Sequence, residues 1–484
     1  MVLGACAVPT VPPQSTSTPV ILISLDTLRA DRLGTYGYTQ RPTSPNIDAL
    51  ARDSVVFEQH QSTAPWTTPA HLSLMSGLYP AHHGVLQPYF AQAEALENGG
   101  EVDALPGERV TIAELLEGQG YSTAAFTGGG AVDPAVGLGQ GFSRYDTDHY
   151  KLTDAHLQEL DTWLGEVDSK PFFLFWHTFE VHAPYTDTRF LAPEQLSSPA
   201  AHSQLRQELS KLDGLLRQRR PSASQQVKAH DGMRSILHRN QANRADVTST
   251  LYDGGIAAAD SRLGELIAIL KRRGLYSDSL IIVTSDHGDE FTDHNPYFYD
   301  AHGHSVYEEM VHTPLIVKLP GQANGGMRVP SRVSAVDVLP TISEVVDVAA
   351  PKDIDGRSLI GLIQGASLPP LPVFSEALNS NIEQKAVSLD GHKLIVTISP
   401  ETVHAHGRLH LPPEPLLEVY DLRADPREQN NLLDGHDTTV MLDALRTHIA
   451  DAARSEARGE LSAETVRQLE AMGYLNPANG QSEP

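Results

Sequence analysis

One cysteine, Cys6, occurs in 484 residues, so no internal disulfide and no cluster of thiolate metal ligands can form within the chain. Positive charge is also scarce: 36 Lys and Arg stand against 61 Asp and Glu, a net charge of −25. The basic residues form no long run, which argues against nucleic acid and anionic membrane surfaces as partners. An anionic substrate would need a local positive site, most economically a bound metal ion. No stretch reaches about 18 apolar residues, so no segment reads as a membrane-spanning helix. The glycine run Thr127-Gly128-Gly129-Gly130 is not followed by Lys-Ser/Thr, so it is a turn and not a P-loop. No internal repeat is present.

Several segments are informative. Leu3-Gly4-Ala5-Cys6 precedes a Pro/Ser/Thr-rich run from Val8 to Pro19. This resembles a bacterial lipoprotein signal and implies a tether over residues 1–19, a lipid on Cys6 and a place in the bacterial cell envelope, periplasmic or membrane-tethered. Val20 to Leu25, Phe172 to Trp176 and Ser279 to Thr284 are short, continuously apolar runs, the pattern of strands buried on both faces. Further strands are predicted at Val55 to Phe57, Tyr121 to Phe126 and Leu315 to Val317, with helices at Ile47 to Asp53, Thr111 to Gly118 and Thr248 to Gly274. Alternating strands and helices predict an α/β fold, a predominantly parallel sheet with helices on both faces, over residues 20–370. The polar stretch from about 191 to 243 reads as a helical insertion outside the core. After residue 371, short strands and terminal helices (Thr438 to Ala453, Ala463 to Met472) predict a smaller α+β subdomain.

The stretch Ala64-Pro65-Trp66-Thr67-Thr68-Pro69-Ala70-His71 reads as a loop entering a helix, with Pro69 tolerated in the first turn. Thr67 or Thr68 is then either a helix cap or, in the positive field of the helix N-terminus, a nucleophile. Two strand ends carry hard metal ligands: Asp26, and the pair Asp286 and His287. Other loops carry Glu180 with His182, and His302 with His304. Carboxylates and imidazoles at one sheet edge suit Ca, Mg, Mn or Zn, and such an ion holds anionic esters.

Leu25-Asp26-Thr27-Leu28-Arg29-Ala30-Asp31, Ser44-Pro45-Asn46-Ile47-Asp48, Ser285-Asp286-His287-Gly288, Tyr307-Glu308-Glu309, Thr313-Pro314-Leu315 and Val419-Tyr420-Asp421-Leu422, in that order, resemble the sulfatase family of the alkaline-phosphatase superfamily. The resemblance implies that Asp26, Thr67, Asp286 and His287 hold a divalent ion. It places Thr67 where sulfatases carry the Cys or Ser converted to formylglycine, and His71 where they carry an arginine. The usual Asp-Asp pair is Asp26-Thr27, and His302 stands near a substrate-binding lysine. Arg29 and Lys393 are implied on the substrate side.

These departures favour a metal-dependent ester hydrolase in which unmodified Thr67 attacks a phosphate or sulfate ester, with His71, His182 and His302 as further catalytic residues. Glu180, His182 and His302 are available for a second ion. An ordinary sulfatase and a non-catalytic binding protein are the alternatives. The implied partner is an anionic ester of a small molecule, glycan or lipid.

Overall fold

The computed structural model describes residues 17–86, 102–167, 171–239, 244–294, 301–379, 382–398, 416–450, 452 and 458–459. Cys6 and the helix expected at Ala463 to Met472 lie outside these residues. The strands in chain order are β1 (Val20–Leu25), β2 (Val55–Gln61), β3 (Val102–Asp103), β4 (Ser122–Phe126), β5 (Arg144–Asp146), β6 (Phe172–Thr178), β7 (Leu280–Thr284), β8 (Leu315–Lys318), β9 (Arg328–Ser334), β10 (Val373–Asn379), β11 (Ile382–Leu389), β12 (His392–Ile398), β13 (Leu416–Asp421) and β14 (Arg458–Gly459).

Eight strands form one sheet in the order β5-β4-β6-β1-β7-β8-β2-β9. Within it β8 is antiparallel to both neighbours, and every other adjacent pair is parallel. Every residue of β1, β6 and β7 is buried. Because successive side chains point to opposite faces, both faces of these strands must be covered, which explains their unbroken apolar sequence. The register matters for function. Leu25 of β1 lies opposite Thr178 of β6, and Ser24 lies opposite Thr284 of β7. The three chains therefore leave the sheet side by side, delivering Asp26, His177 and the Ser285-Asp286-His287 turn to one place.

The insertion is helical, as expected, but it is not peripheral. Helices Pro199–Leu216 and Ala223–Arg239 pack on each other. Their apolar stripes, including Leu205, Leu209 and Leu212 on the first and Met233 and Ile236 on the second, are continuous with the main core. The polar composition of this stretch describes its outer faces and hides a helical apolar repeat.

Strands β10-β11-β12-β13 form a separate antiparallel sheet. One face packs helix Thr439–Ala450 through Val387, Leu394, Met441 and Leu445. The other face rests through Ala386, Ile395 and Tyr420 on the segment of Val306, Met310 and Val311. A short ribbon pairs β3 with β14. Among the described residues no helix is long and apolar enough to cross a membrane.

The small sheet encloses a charge cluster. Lys385 is fully buried, 2.9 Å from Glu383 and paired with Glu376, which also meets His448 Nε2 at 2.9 Å. Removing Lys385 takes the ammonium away from two buried carboxylates. Lys385→Met should therefore cost about 3–5 kcal/mol, read as a lowered denaturant midpoint of the full chain. An unchanged midpoint would show that the cluster is neutralised some other way.

Candidate active site

Helix Thr67–Ser76 is buried along its whole length. Its N-cap is Trp66, which makes no side-chain cap bond, so Thr67 is the first helical residue and not the cap. Thr68 Oγ1 donates to the Ala131 carbonyl at 2.7 Å. The Thr67 hydroxyl instead lies 3.3 Å from His287 Nε2 and beside Asp26, at the positive end of the helix.

The two aspartates carry the electrostatics. Asp26 Oδ2 accepts from His177 Nε2 at 3.0 Å, and Asp26 Oδ1 is buried without a hydrogen-bond partner. Asp286 Oδ1 accepts from Thr27 N at 3.2 Å, and Asp286 Oδ2 is likewise buried and unpartnered. Burial, then the charge of Asp286, pushes the Asp26 carboxyl well above its usual range. Burial also acts on Asp286, but His287, His71 and His177 outweigh it and hold that carboxyl below its usual range. Thr27 is held at φ +58°, a left-handed conformation uncommon for a β-branched residue, while its N–H serves Asp286.

Backbone contacts set the histidine tautomers. His287 Nδ1 donates to the Gly288 carbonyl at 2.8 Å, which leaves the Nε2 lone pair facing Thr67 and, at 3.4 Å, Asp286 Oδ2. His71 Nδ1 donates to the Thr67 carbonyl at 2.8 Å, and Nε2 accepts from Ser24 Oγ at 2.9 Å. His177 Nδ1 accepts from Gly128 N at 3.4 Å, which fits donation from Nε2 to Asp26. Burial lowers all three imidazoles, His287 to about 4, so they are neutral at pH 7.

One ligand atom each from Asp26, Asp286 and His287 lies within 4.8 Å of the others. Two orphaned carboxylate oxygens and an imidazole lone pair, buried together, fit a divalent cation: the oxygens lack the positive partner an ion provides. Oxygen and nitrogen donors in this mixture suit Ca, Mg, Mn or Zn alike.

The other residues singled out from the sequence divide into two groups. His302 and His182 join the cluster: the His302 ring lies 4.5 Å from His287 and 5.1 Å from His182, and His302 Nδ1 is 3.5 Å from Asp289 Oδ1. Burial, then His302, lowers His182 to about 3. Glu180 is not brought to them. Its carboxylate is clamped by Arg217 at 2.5 and 3.1 Å and accepts from Leu152 N at 3.0 Å, so it is committed to the fold. Arg29 gives hydrogen bonds from Nε and both terminal nitrogens to Asp31, Asp293 and the Asp289 carbonyl, which fixes the turn behind His287. Lys393 is fully buried between Glu308, at 3.1 Å, and Glu428, at 3.0 Å, at the seam with the small sheet. Sequence reasoning had not assigned His177 or Asp289 a part. Both could have been suspected, since each stands within a few residues of a strand end facing the site.

A buried hydroxyl at a helix N-terminus, beside paired carboxylates at the carboxyl edge of a parallel sheet, is the layout of an ester-cleaving enzyme. A sequence model of the sulfatase family matches residues 18–348. The chain belongs to the sulfatase family, and it is an ester hydrolase. It is 25% identical over 495 residues to a multifunctional alkaline phosphatase superfamily protein, PehA, of Trinickia caryophylli, covering 85% of this chain and 90% of that one. It is 26% identical to the steryl-sulfatase of Rattus norvegicus, covering 71% of this chain and 70% of that one. The phosphonate monoester hydrolase of Agrobacterium radiobacter superposes with a TM-score of 0.60 at 21% identity, covering 89% of this chain and 96% of that one.

The raised Asp26 carboxyl gives a test by stability. A carboxyl raised in the folded state contributes fully below its unfolded value, near 3.8, and that contribution is lost as pH climbs towards the folded value. In chelator at pH 7, Asp26→Asn should melt above the wild type, with the gap closing towards pH 4. Added divalent ion should raise the melting temperature of the wild type and not of Asp26→Asn. Equal stabilisation of both proteins by the ion would remove Asp26 from its site.

Proposed function

We propose that the protein is a metal-dependent hydrolase of phosphate-class esters in which unmodified Thr67 is the nucleophile. The observation that carries this reading is the Thr67 hydroxyl: first in its helix, free of any capping duty, and set between Asp26 and His287. Asp26, Asp286, His287 and the Thr67 oxygen would hold the divalent ion. A bound ion would neutralise the two carboxylates and polarise the ester. Asp26, beside Thr67, is the base that would take its proton. Thr67 Oγ1 bonds to phosphorus as the bond to the alcohol oxygen breaks, and His302, beside Asp289, gives that oxygen a proton. Water then attacks phosphorus as its proton passes to His302, the bond to Thr67 Oγ1 breaks, phosphate leaves, and the proton on Asp26 returns to the Thr67 oxygen. His71 holds the Thr67 carbonyl and so the first turn of the helix.

Thr67 is a secondary alcohol, so it cannot yield the aldehyde that formylglycine supplies. The family and the steryl-sulfatase relative keep a sulfate ester as the second reading. The purified protein with divalent ion should turn over an aryl phosphate, phosphate diester or phosphonate faster than the matching aryl sulfate. Thr67→Ala should lower kcat at least about a thousandfold with metal content retained, and Thr67→Ser should keep part of the rate. Faster sulfate turnover would favour the second reading. Activity untouched in Thr67→Ala would remove Thr67 from either chemistry.

The same reading sets the protein in the bacterial cell envelope, held by lipid on Cys6, on the strength of Leu3-Gly4-Ala5-Cys6. Mass spectrometry of the N-terminus after expression from the natural upstream sequence should find a lipidated Cys6. An unmodified thiol there would refute the anchor.

A further inference from the structure

The row of imidazoles at the site does not end at His182. His287, His302 and His182 are joined by ring separations of 4.5 and 5.1 Å, and the next ring, His230, lies 6.4 Å from His182. His230 comes from the inserted helix Ala223–Arg239 and not from the sheet. That helix is tied to the loop after β6, where Tyr185 N donates to Met233 Sδ at 3.0 Å. His230 is only 7% exposed, and its Nε2 is buried with no hydrogen-bond partner. The other ring nitrogen serves the Ala183 carbonyl, so Nε2 carries the lone pair and can only accept. One turn earlier on the same helix face, Gln226 Oε1 is also buried with no partner.

A buried acceptor without a donor is costly and usually marks a missing partner. A metal is a poor candidate for that partner: among the described residues His230 belongs to no group of three closely spaced ligands. A water molecule or a donor that arrives with the substrate would satisfy it, and the row of rings leading back to His287 points to the second. The reacting group sits at Thr67, so a donor reaching the outer end of the imidazole row belongs to the alcohol part of the ester.

We propose that His230 is a specificity-determining residue whose Nε2 accepts a hydrogen bond from a hydroxyl on the alcohol part of the substrate, so that sugar or polyol esters are selected over esters without hydroxyls. The proposal rests on the ester-hydrolase reading for the position of the alcohol. A site with a buried polar group rejects a ligand that cannot satisfy it, which is a stronger discrimination than apolar fit supplies.

The test uses a matched pair of ligands, a hexose 6-phosphate and cyclohexylmethyl phosphate, which share the ester and the ring size and differ in hydroxyls. Binding is measured by calorimetry in the full-length Thr67→Ala protein with divalent ion, and turnover in the protein with Thr67 intact. The hexose ester should bind and turn over in preference to the cyclohexylmethyl ester by about tenfold or more, the worth of one buried hydrogen bond. His230→Leu should collapse that preference through KM, and His230→Gln, which places an oxygen acceptor near Nε2, should restore part of it. Equal losses for both esters, or a wild-type protein that binds both esters equally, would overturn the proposal and leave Nε2 to a water molecule. Discrimination in binding without turnover of any ester would instead overturn the proposed chemistry and leave His230 standing. If His230→Leu fails to fold, His230→Gln decides: a retained preference supports the acceptor role, and a loss equal for the two esters refutes it.

Discussion

Two carboxylates, Asp26 and Asp286, are buried side by side, and much of the surrounding structure answers to that fact. Like charges this close in a poorly polarisable interior cannot both ionise without help. Asp26 Oδ2 accepts from His177 Nε2, Asp286 Oδ1 accepts from Thr27 N and Ser285 Oγ, and each carboxylate keeps its other oxygen without a partner. The parallel register of β6, β1 and β7 enforces the arrangement, because it delivers three strand ends to one edge. The left-handed backbone at Thr27 has a local cause here: it turns an N–H toward Asp286. A divalent ion would relieve the repulsion; without one, Asp26 is the carboxyl whose proton is favoured. The same pair thus couples stability, pH and ligand binding in one site.

Fixed positive charge is the second constraint. Arg29, Lys393 and Arg217 all stand within a few residues of the site in sequence or space, yet each is committed to carboxylates of the fold. The imidazoles nearest Thr67 are lowered by burial, so they act as neutral donors and acceptors. An anionic ester would then draw its affinity from the helix N-terminus and from any cation held by Asp26, Asp286 and His287. This is the economy that a net charge of −25 demanded from the outset.

Much of this was legible in the sequence. The runs Val20 to Leu25 and Ser279 to Thr284 announce buried parallel strands because they lack polar alternation, and Asp26 and Asp286 stand at their carboxyl ends. The short edge strand β5 and the strand β9 were missed, since Arg144–Asp146 and Arg328–Ser334 mix charge with apolar residues and present no period that separates them from loop. Glu180 shows the deeper limit. Its place in a loop beside His182 suggested a ligand, but its partner, Arg217, lies in an insertion whose packing no local pattern specifies. His177 was visible at a strand end, while its hydrogen bond to Asp26 depends on the register of two strands far apart in sequence.

The departures from the sulfatase pattern are physically connected. Thr27 supplies its N–H to Asp286; Thr67 sets its hydroxyl against His287; His71 holds the Thr67 carbonyl and approaches Asp286 Oδ2 at 3.6 Å; His302 lies against His287. Decay of an unused site would scatter its substitutions and would shed buried carboxylates first, since they are the costliest residues to keep. Here both carboxylates are present, the free oxygen of Asp286 lies 3.6 Å from His71 Nδ1, and Thr27 and Thr67 meet Asp286 and His287. His71, lowered by burial, sets a neutral ring and no permanent cation beside Asp286. With no fixed cation there, the two carboxylates would depend on a bound ion for their charge balance, and their retention beside one another is what a metal site requires and a decayed site does not.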